Sequence, residues 1–351
     1  MVLGDYILIL AFGLSGCCAA FFVCHPLSKN KIAVDSVVGP QKIHQGSISR
    51  LGGVSIFLSL LCSSVINYEL NVLMLSFLVA TAPVFFAGVI EDLTGHVSAR
   101  ARLFFSLLTG TIFCLLSGYS IRGVGIEEIR FIFEYSLISV GLTALAVASL
   151  INAMNIIDGL NGLASGCFIL IAISVATVAV NVNDTELAFY AFVMASATAG
   201  FFIWNYPFGR IFLGDGGAYL LGSLAAGLAV LLPERNPVVS PYFSLLIIAF
   251  PFYELVRSTL RRALKADGTI LKPDNKHLHS LLFKIIKART SFQPWAQNGL
   301  ASIILLLFTL GTSVLALIYH KEKTVLVAGF LIFIVVYEVF MIILKKITDE
   351  V

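Results

Sequence analysis

The residues best suited to chemistry fall in five short stretches of this 351-residue chain. In the first, Asn152, Asn155 and Asp158 recur every three residues, with Gly159, Asn161 and Gly162 directly after. That spacing stripes one face of a helix end with amides and a carboxylate. A central Asp costs roughly 2.5–3.5 kcal/mol on membrane-insertion scales, so polar groups set in apolar surroundings are expected to line a wet cavity. In the second, Asn205 precedes Arg210, Phe212 and Asp215, the last flanked by Gly214, Gly216 and Gly217. An Asp among glycines at a helix start sits beside free backbone N–H groups, which suits a cation together with a phosphate chain.

The third stretch is the adjacent pair Glu91 and Asp92, with Arg100 and Arg102 downstream. Neighbouring carboxylates repel, which a bound cation, a proton or simple solvation at a helix end would relieve. The fourth runs from Asp35 through Lys42, His44 and Arg50 to Gly52 and Gly53. Its basic groups could meet phosphates, or the segment could be a basic anchor followed by a helix-packing glycine pair. The fifth, from Arg257 to Gln297, carries Arg261, Arg262, Lys272, Lys276, His277 and His279. Two histidines two residues apart share a face only in extended chain. Without further ligands nearby they read as phosphate donors rather than as a zinc site, with a lipid-headgroup anchor as the alternative. Together the five stretches would hold a metal–diphosphate and bring an anionic lipid to it. Mg²⁺ is expected, with Mn²⁺ as a substitute, because Mg²⁺ needs few protein carboxylates and shares substrate phosphates.

The elements that must carry these stretches are membrane spans. The chain is 58% hydrophobic and 12% charged, with mean hydropathy +0.96. A soluble fold cannot hide so much apolar surface. The net charge of +3 points to no polyanion and no nucleic acid. Runs near the roughly 20 residues a span needs are Val2–Cys24, Leu51–Asn67, Val72–Ile90, Leu103–Leu116, Tyr135–Ile151, Leu163–Val180, Leu187–Trp204, Ala218–Leu232, Tyr242–Val256, Leu300–Tyr319 and Val325–Leu344. The expected fold is therefore all-α, a single polytopic membrane domain over 1–351 with 10–11 transmembrane helices. The first run is too long for a signal-peptide core and is read as a true span. Cys17, Cys18, Cys24, Cys62, Cys114 and Cys167 lie in or beside apolar runs and read as packing thiols.

Counting Lys and Arg by alternate loops gives eighteen on one side against five on the other. The rich side is expected to be cytoplasmic, with the N-terminus outside and the C-terminus inside. All five stretches, in loops 25–50, 91–102, 152–162, 205–217 and 257–297, fall on that side.

These residues, in this order, resemble the polyprenyl-phosphate N-acetylhexosamine-1-phosphate transferases, a group that includes the phospho-N-acetylmuramoyl-pentapeptide transferases. The resemblance runs from about Asp35 to Leu282 and rests most on Asn152–Gly159 and Phe212–Asp215. It implies transfer of a sugar-1-phosphate from a UDP-sugar to a polyprenyl phosphate (undecaprenyl phosphate in a bacterium), with release of UMP. It implies a plasma-membrane enzyme whose product starts a cell-surface glycan, and it makes a homodimer plausible. It assigns Asp215 to the metal, Asp158 and Asn155 to the nucleotide-sugar, Asn205 and Phe212 to uridine, Glu91 and Asp92 to the lipid phosphate, and His277 and His279 to the diphosphate or sugar. Asn152, Asn161, Lys42, His44 and Arg50 complete the expected substrate contacts.

Glu91 replaces the usual first Asp of the paired motif, and Ser280 replaces a third His. Gly95 stands where the muramoyl-pentapeptide branch carries Lys, which argues against that branch. Asn161 stands where many members carry Asp and offers a different donor pattern. Two other readings are a transporter of phosphorylated lipid or sugar intermediates, for which Glu338 is the clearest mid-span acid, and a structural membrane subunit.

Overall fold

The computed structural model describes residues 3–30, 34–35, 48–66, 71–264 and 277–349. Lys42 and His44 therefore lie outside the described residues. The structure is helical, apart from a two-residue antiparallel pair between β1 (Val34–Asp35) and β2 (Ile48–Ser49) and one short 3-10 turn. The helices are α1 (Leu3–Asn30), α2 (Gly52–Ile66), α3 (Asn71–Thr94), α4 (Ala99–Ser117), α5 (Ser136–Ile157), α6 (Leu163–Asn181), α7 (Thr185–Asn205), α8 (Gly214–Arg235), α9 (Pro241–Ile247), α10 (Ala249–Ala263), α11 (Leu278–Arg289), α12 (Pro294–Ile318) and α13 (Lys323–Asp349).

Among the described residues, eight helices are long and apolar enough to cross a membrane. The bent pair α9–α10 and the shorter apolar stretches Ile7–Ala20 and Gly52–Ser64 account for the rest of the eleven expected spans. Two expectations need correction. The run Tyr242–Val256 is not one straight span: α9 and α10 meet at 74°. Pro251 has no N–H to offer the carbonyl four residues back, at Ile247, so the helical ladder breaks there and restarts. The stretch 257–297 is not all loop, because α11 forms within it and buries Leu278, Leu281, Leu282, Ile285 and Ile286 at helical spacing.

Helix α8 is the axis of the bundle. Within its apolar window 94% is buried, against 28% for α4 and α13. It packs on α2, α3, α5 and α6. Backbones approach closely at its start. A Cβ on Gly53 would collide with Gly217, and one on Gly214, which has φ +74°, would collide with the Arg50 carbonyl. Both positions need glycine, and both fix the site's floor. Backbone bonds from Gly52 N to Phe212 O, Gly53 N to Leu213 O and Phe212 N to Ser49 O, each 2.9 Å, stitch the Arg50 segment to the turn before α8.

The opposite end is fastened by ions. Arg235, closing α8, donates to Asp184 at 2.8 and 2.9 Å and to Glu186 at 2.9 Å, and Asn236 adds a bond to Asp184. Burial alone would raise the Asp184 carboxyl. The bonds from Arg235, Asn236 and the Leu187 N–H outweigh it and hold the carboxyl below its usual 3.8. The stabilisation is therefore complete above about pH 4 and is lost as pH falls from there through the folded value. Melting of the purified protein followed from pH 6 to pH 3 should show this loss, and Asp184→Asn should flatten it. Parallel curves for the two proteins would contradict the depressed value.

Candidate active site

The ends of α3, α5 and α7 and the starts of α2, α4, α6 and α8 meet at one end of the bundle, as the alternation of spans requires. Asp215 is at their centre. It lies in the first turn of α8, the favourable end of the helix dipole for an acid. Asn155 Nδ2 donates to Asp215 Oδ1 at 3.0 Å. Arg50 Nη2 is 3.7 Å from Oδ1, and Arg102 Nη1 is 3.5 Å from Oδ2. Arg102 also reaches Tyr219 Oη at 3.4 Å. The sequence offered Arg100 and Arg102 together, but only Arg102 reaches Asp215, while Arg100 is exposed.

Asp92 lies in the last turn of α3, the helix end at which its sequence sets it, but it is buried there rather than solvated. The apolar run was expected to stop at Ile90, yet α3 continues through Glu91 and Asp92 to Thr94. Asp92 is 9% exposed, and both carboxylate oxygens are committed. Oδ1 accepts from the Asp215 N–H and Oδ2 from the Gly216 N–H, each at 2.9 Å. A side chain from α3 thus caps the otherwise unpaired donors at the start of α8. Arg50 Nε stands 3.6 Å from the same carboxylate. The neighbouring Glu91 accepts from the Val97 N–H at 2.7 Å and so fastens the α3–α4 turn.

Asp158 caps the C-terminal end of α5 and is half-buried. Burial pushes its carboxyl up to about 7. The negative charge of Asp215 adds to this and Arg50 opposes it. Among the described residues, three carboxylates, Asp92, Asp158 and Asp215, thus share one neighbourhood with the guanidinium groups of Arg50 and Arg102, a surplus of negative charge when all are ionised. That surplus is what a cation would relieve. Among the described residues no group of three or more His, Cys, Asp or Glu is arranged to hold a metal by itself. A Mg²⁺ ion held through one carboxylate and substrate phosphates needs no such cluster. Asp215 fits that role, because its side chain is 16% exposed, whereas that of Asp92 is 1% exposed and already holds two backbone N–H groups.

Other expected site residues serve the scaffold. Asn205 is buried. Its Oδ1 accepts from Gly162 N and its Nδ2 donates to Ile211 O at 2.7 Å, so it ties the α5–α6 turn to the α7–α8 turn. Asn161 Nδ2 donates to Pro207 O at 3.0 Å, and its N–H is taken by Asn298 Oδ1 of α12 at 2.8 Å. Asn152 Nδ2 bonds back to Ala148 O within its own helix at 2.7 Å. Of the three-residue stripe, then, Asn155 and Asp158 face Asp215, while the Asn152 amide donor stays on its own helix. Phe212 is half-buried beside the stitched backbone.

His277 and His279 stand where α11 begins, with rings stacked at 5.4 Å and 4°. His279 packs on Gly159, where a Cβ would collide with its ring. His279 is thereby brought against the turn that follows Asp158. Burial lowers the His279 imidazole to about 4, more than the nearby Glu254 charge raises it, so this ring is neutral at pH 7. It can hydrogen-bond to a substrate, but not as the cation the surrounding Lys and Arg implied. Glu254 and Tyr337 were missed. Glu254 lay inside an apolar run, and its charge there was the available signal. Glu338, the candidate for a path through the membrane, is paired with Arg257 Nε at 2.7 Å and Tyr253 Oη at 3.0 Å.

These features define an all-α polytopic membrane protein with acids, amides and arginines gathered at one end of its bundle. The family model described as Glycosyl transferase family 4 matches residues 74–233, which include Asp92, Asn155, Asp158 and Asp215. The undecaprenyl-phosphate alpha-N-acetylglucosaminyl 1-phosphate transferase of Thermotoga maritima is 29% identical over 248 residues, 70% of this chain and 72% of that protein. A probable undecaprenyl-phosphate N-acetylglucosaminyl 1-phosphate transferase of Bacillus subtilis is 26% identical over 88% of this chain and 82% of its own length. The decaprenyl-phosphate N-acetylglucosaminephosphotransferase of Mycobacterium tuberculosis is 24% identical over 78% and 75%. The chain is thus similar to glycosyl transferase family 4 over residues 74–233 and to polyprenyl-phosphate N-acetylglucosamine-1-phosphate transferases over 70–88% of its length, the group its motifs resemble.

Proposed function

We propose that this protein transfers an N-acetylhexosamine-1-phosphate from a UDP-sugar to a polyprenyl phosphate, releasing UMP and leaving a lipid-diphospho-sugar. The observation that carries the reading is Asp215, set at the start of α8, oriented by Asn155 and flanked by Arg50 and Arg102. The relatives support the lipid acceptor and the phosphotransfer. The family resemblance supports the UDP donor, a homodimer and a plasma-membrane location. The concentration of Lys and Arg on the site's side supports a cytoplasmic site, with the N-terminus outside and the C-terminus inside. The pairing of Glu338 with Arg257 and Tyr253 removes the sequence feature that favoured a transporter.

In this reaction a phosphate oxygen of the lipid bonds to the sugar-linked phosphorus as the bond from that phosphorus to the UMP oxygen breaks. Catalysis of such a transfer is mainly positioning and charge neutralisation. Mg²⁺, or Mn²⁺ in its place, would neutralise charge on the donor diphosphate when bound. Asp215 would hold it, with Asn155 fixing the carboxylate's orientation. Arg50 and Arg102, set against Asp215, would pair with the donor phosphates held there. Asn161 and Asn205 hold the two turns that frame the donor side. The acceptor phosphate is largely ionised near pH 7, so no strong base is required.

Membranes containing the protein, incubated with Mg²⁺, undecaprenyl phosphate and a panel of labelled UDP-N-acetylhexosamines, should move label into the lipid phase with matching release of UMP. The donor that works names the sugar. Retention of all label in the aqueous phase by folded protein would refute the reading.

A further inference from the structure

One buried cluster takes no part in the transfer just described. Glu254, on α10, is 2% exposed and has three partners from two other elements. Its Oε1 accepts from Tyr337 Oη of α13 at 2.6 Å and from the Leu278 N–H at the start of α11 at 3.1 Å. Its Oε2 lies 3.2 Å from His277 Nδ1. A buried carboxylate is costly unless its oxygens are satisfied, so three partners fix its position closely. Tyr337 is fully buried, and its ring meets that of Tyr253 at 4.9 Å. One residue on, Glu338 bonds Arg257 and Tyr253 of α10. Helix α13 therefore grips α10 twice, and Glu254 passes that grip to His277.

The chain of contacts continues to the site. His277 stacks on His279, and His279 lies against Gly159, next to Asp158. The Nδ1 of His279 is buried with no hydrogen-bond partner among the described residues. Within a stacked pair of this kind, the ring orientation of one histidine is set by the other and by whatever holds it.

We propose that Glu254 is a positioning residue for the transfer. It fixes the ring of His277 and, through the stack, presents His279 to the donor at the Gly159 turn, with Tyr337 of α13 as its brace. This rests on the transferase reading of the site. A carboxylate that orients a functional histidine is worth on the order of 10–100-fold when removed, the scale also seen when reacting groups are misplaced by about an ångström.

The test uses the full-length protein and compares wild type, Glu254→Gln, His277→Ala and the double variant for kcat, donor KM and melting temperature. Tyr337→Phe is included in case Glu254→Gln folds poorly. Carbethoxylation of His277, read by mass spectrometry, reports its exposure without turnover. Glu254→Gln should lower kcat by about 10–100-fold with little change in melting temperature and should open His277 to modification. Tyr337→Phe should lower kcat by a few-fold to about tenfold. The double variant should be no slower than His277→Ala alone, because Glu254 acts through His277. Wild-type kcat in both Glu254→Gln and Tyr337→Phe, multiplying losses in the double variant, or losses that track a falling melting temperature would overturn the proposal. If wild type itself transfers nothing, the functional reading fails instead. Unchanged labelling of His277 in Glu254→Gln would then still reject the positioning.

Discussion

Asp215→Asn is expected to remove nearly all transfer while leaving a folded protein. Asn is isosteric and keeps an oxygen toward the start of α8, so the packing of Gly214, Gly216 and Gly217 is undisturbed. What disappears is the charge that sits 3.5 Å from Arg102 and 3.7 Å from Arg50. That charge is also the one available to a divalent ion, since Asp92 is committed to backbone donors. Removing one preorganised electrostatic contact to a reacting centre costs on the order of 10²–10³-fold in kcat, and losing the metal with it should place the effect at the upper end. The measurement is the initial rate of lipid-linked product over a Mg²⁺ titration, beside a melting curve. A rate within tenfold of wild type at saturating Mg²⁺ would show that the metal is held elsewhere.

The second large effect is expected at Asp92, for a different reason. Family resemblance gives the paired acids a role at the lipid phosphate, and a base is one form of it. The geometry instead makes Asp92 a clamp, because its oxygens hold the N–H groups of Asp215 and Gly216. Asn can keep one of those acceptors but turns an amide toward the other N–H. Activity should fall on the order of 10²-fold through misplacement of Asp215, and stability by about 1 kcal/mol or more through the lost cap. The two roles separate in the laboratory. A clamp variant needs more Mg²⁺ for half-maximal rate and melts earlier, with the shape of its pH–rate profile retained. A base variant loses the acidic limb of that profile and binds Mg²⁺ and UDP-sugar as before. The second pattern would remove the clamp interpretation.

The membrane architecture was legible because hydropathy reports burial in lipid directly, and apart from the bent α9–α10 pair the apolar helices lie where the apolar runs placed them. Their ends were not. Helices α3, α5 and α8 run past the apolar windows to take in Asp92, Asn155 and Asp215. A hydropathy window stops at the first charge, whereas a helix stops only where its backbone bonds fail. Pro251 was visible as a helix breaker, but the apolar run around it concealed the break. The amphipathic spacing from Leu278 to Ile286 was equally visible and was outweighed by the basic residues before it. Asn205 and Asn161 show the harder limit. An amide that ties two turns together and an amide that holds a ligand are the same residue type, and only coordinates reveal that both ends of Asn205 are already bonded. Glu254 was hidden in the same way, because its meaning depends on Tyr337, 83 residues downstream.

That separation has a consequence for how the protein is made. The chain is synthesised and inserted from its N-terminal end, so Arg50, Asp92, Asp158 and Asp215 can all be in the bilayer while Tyr337 has yet to be translated. Until α13 arrives, Glu254 lacks its shortest hydrogen bond and α10 lacks the Arg257–Glu338 pair. The acidic centre can thus assemble early, while the histidine side of the same site must wait for α13, so the order of synthesis keeps the site unfinished until that helix has packed.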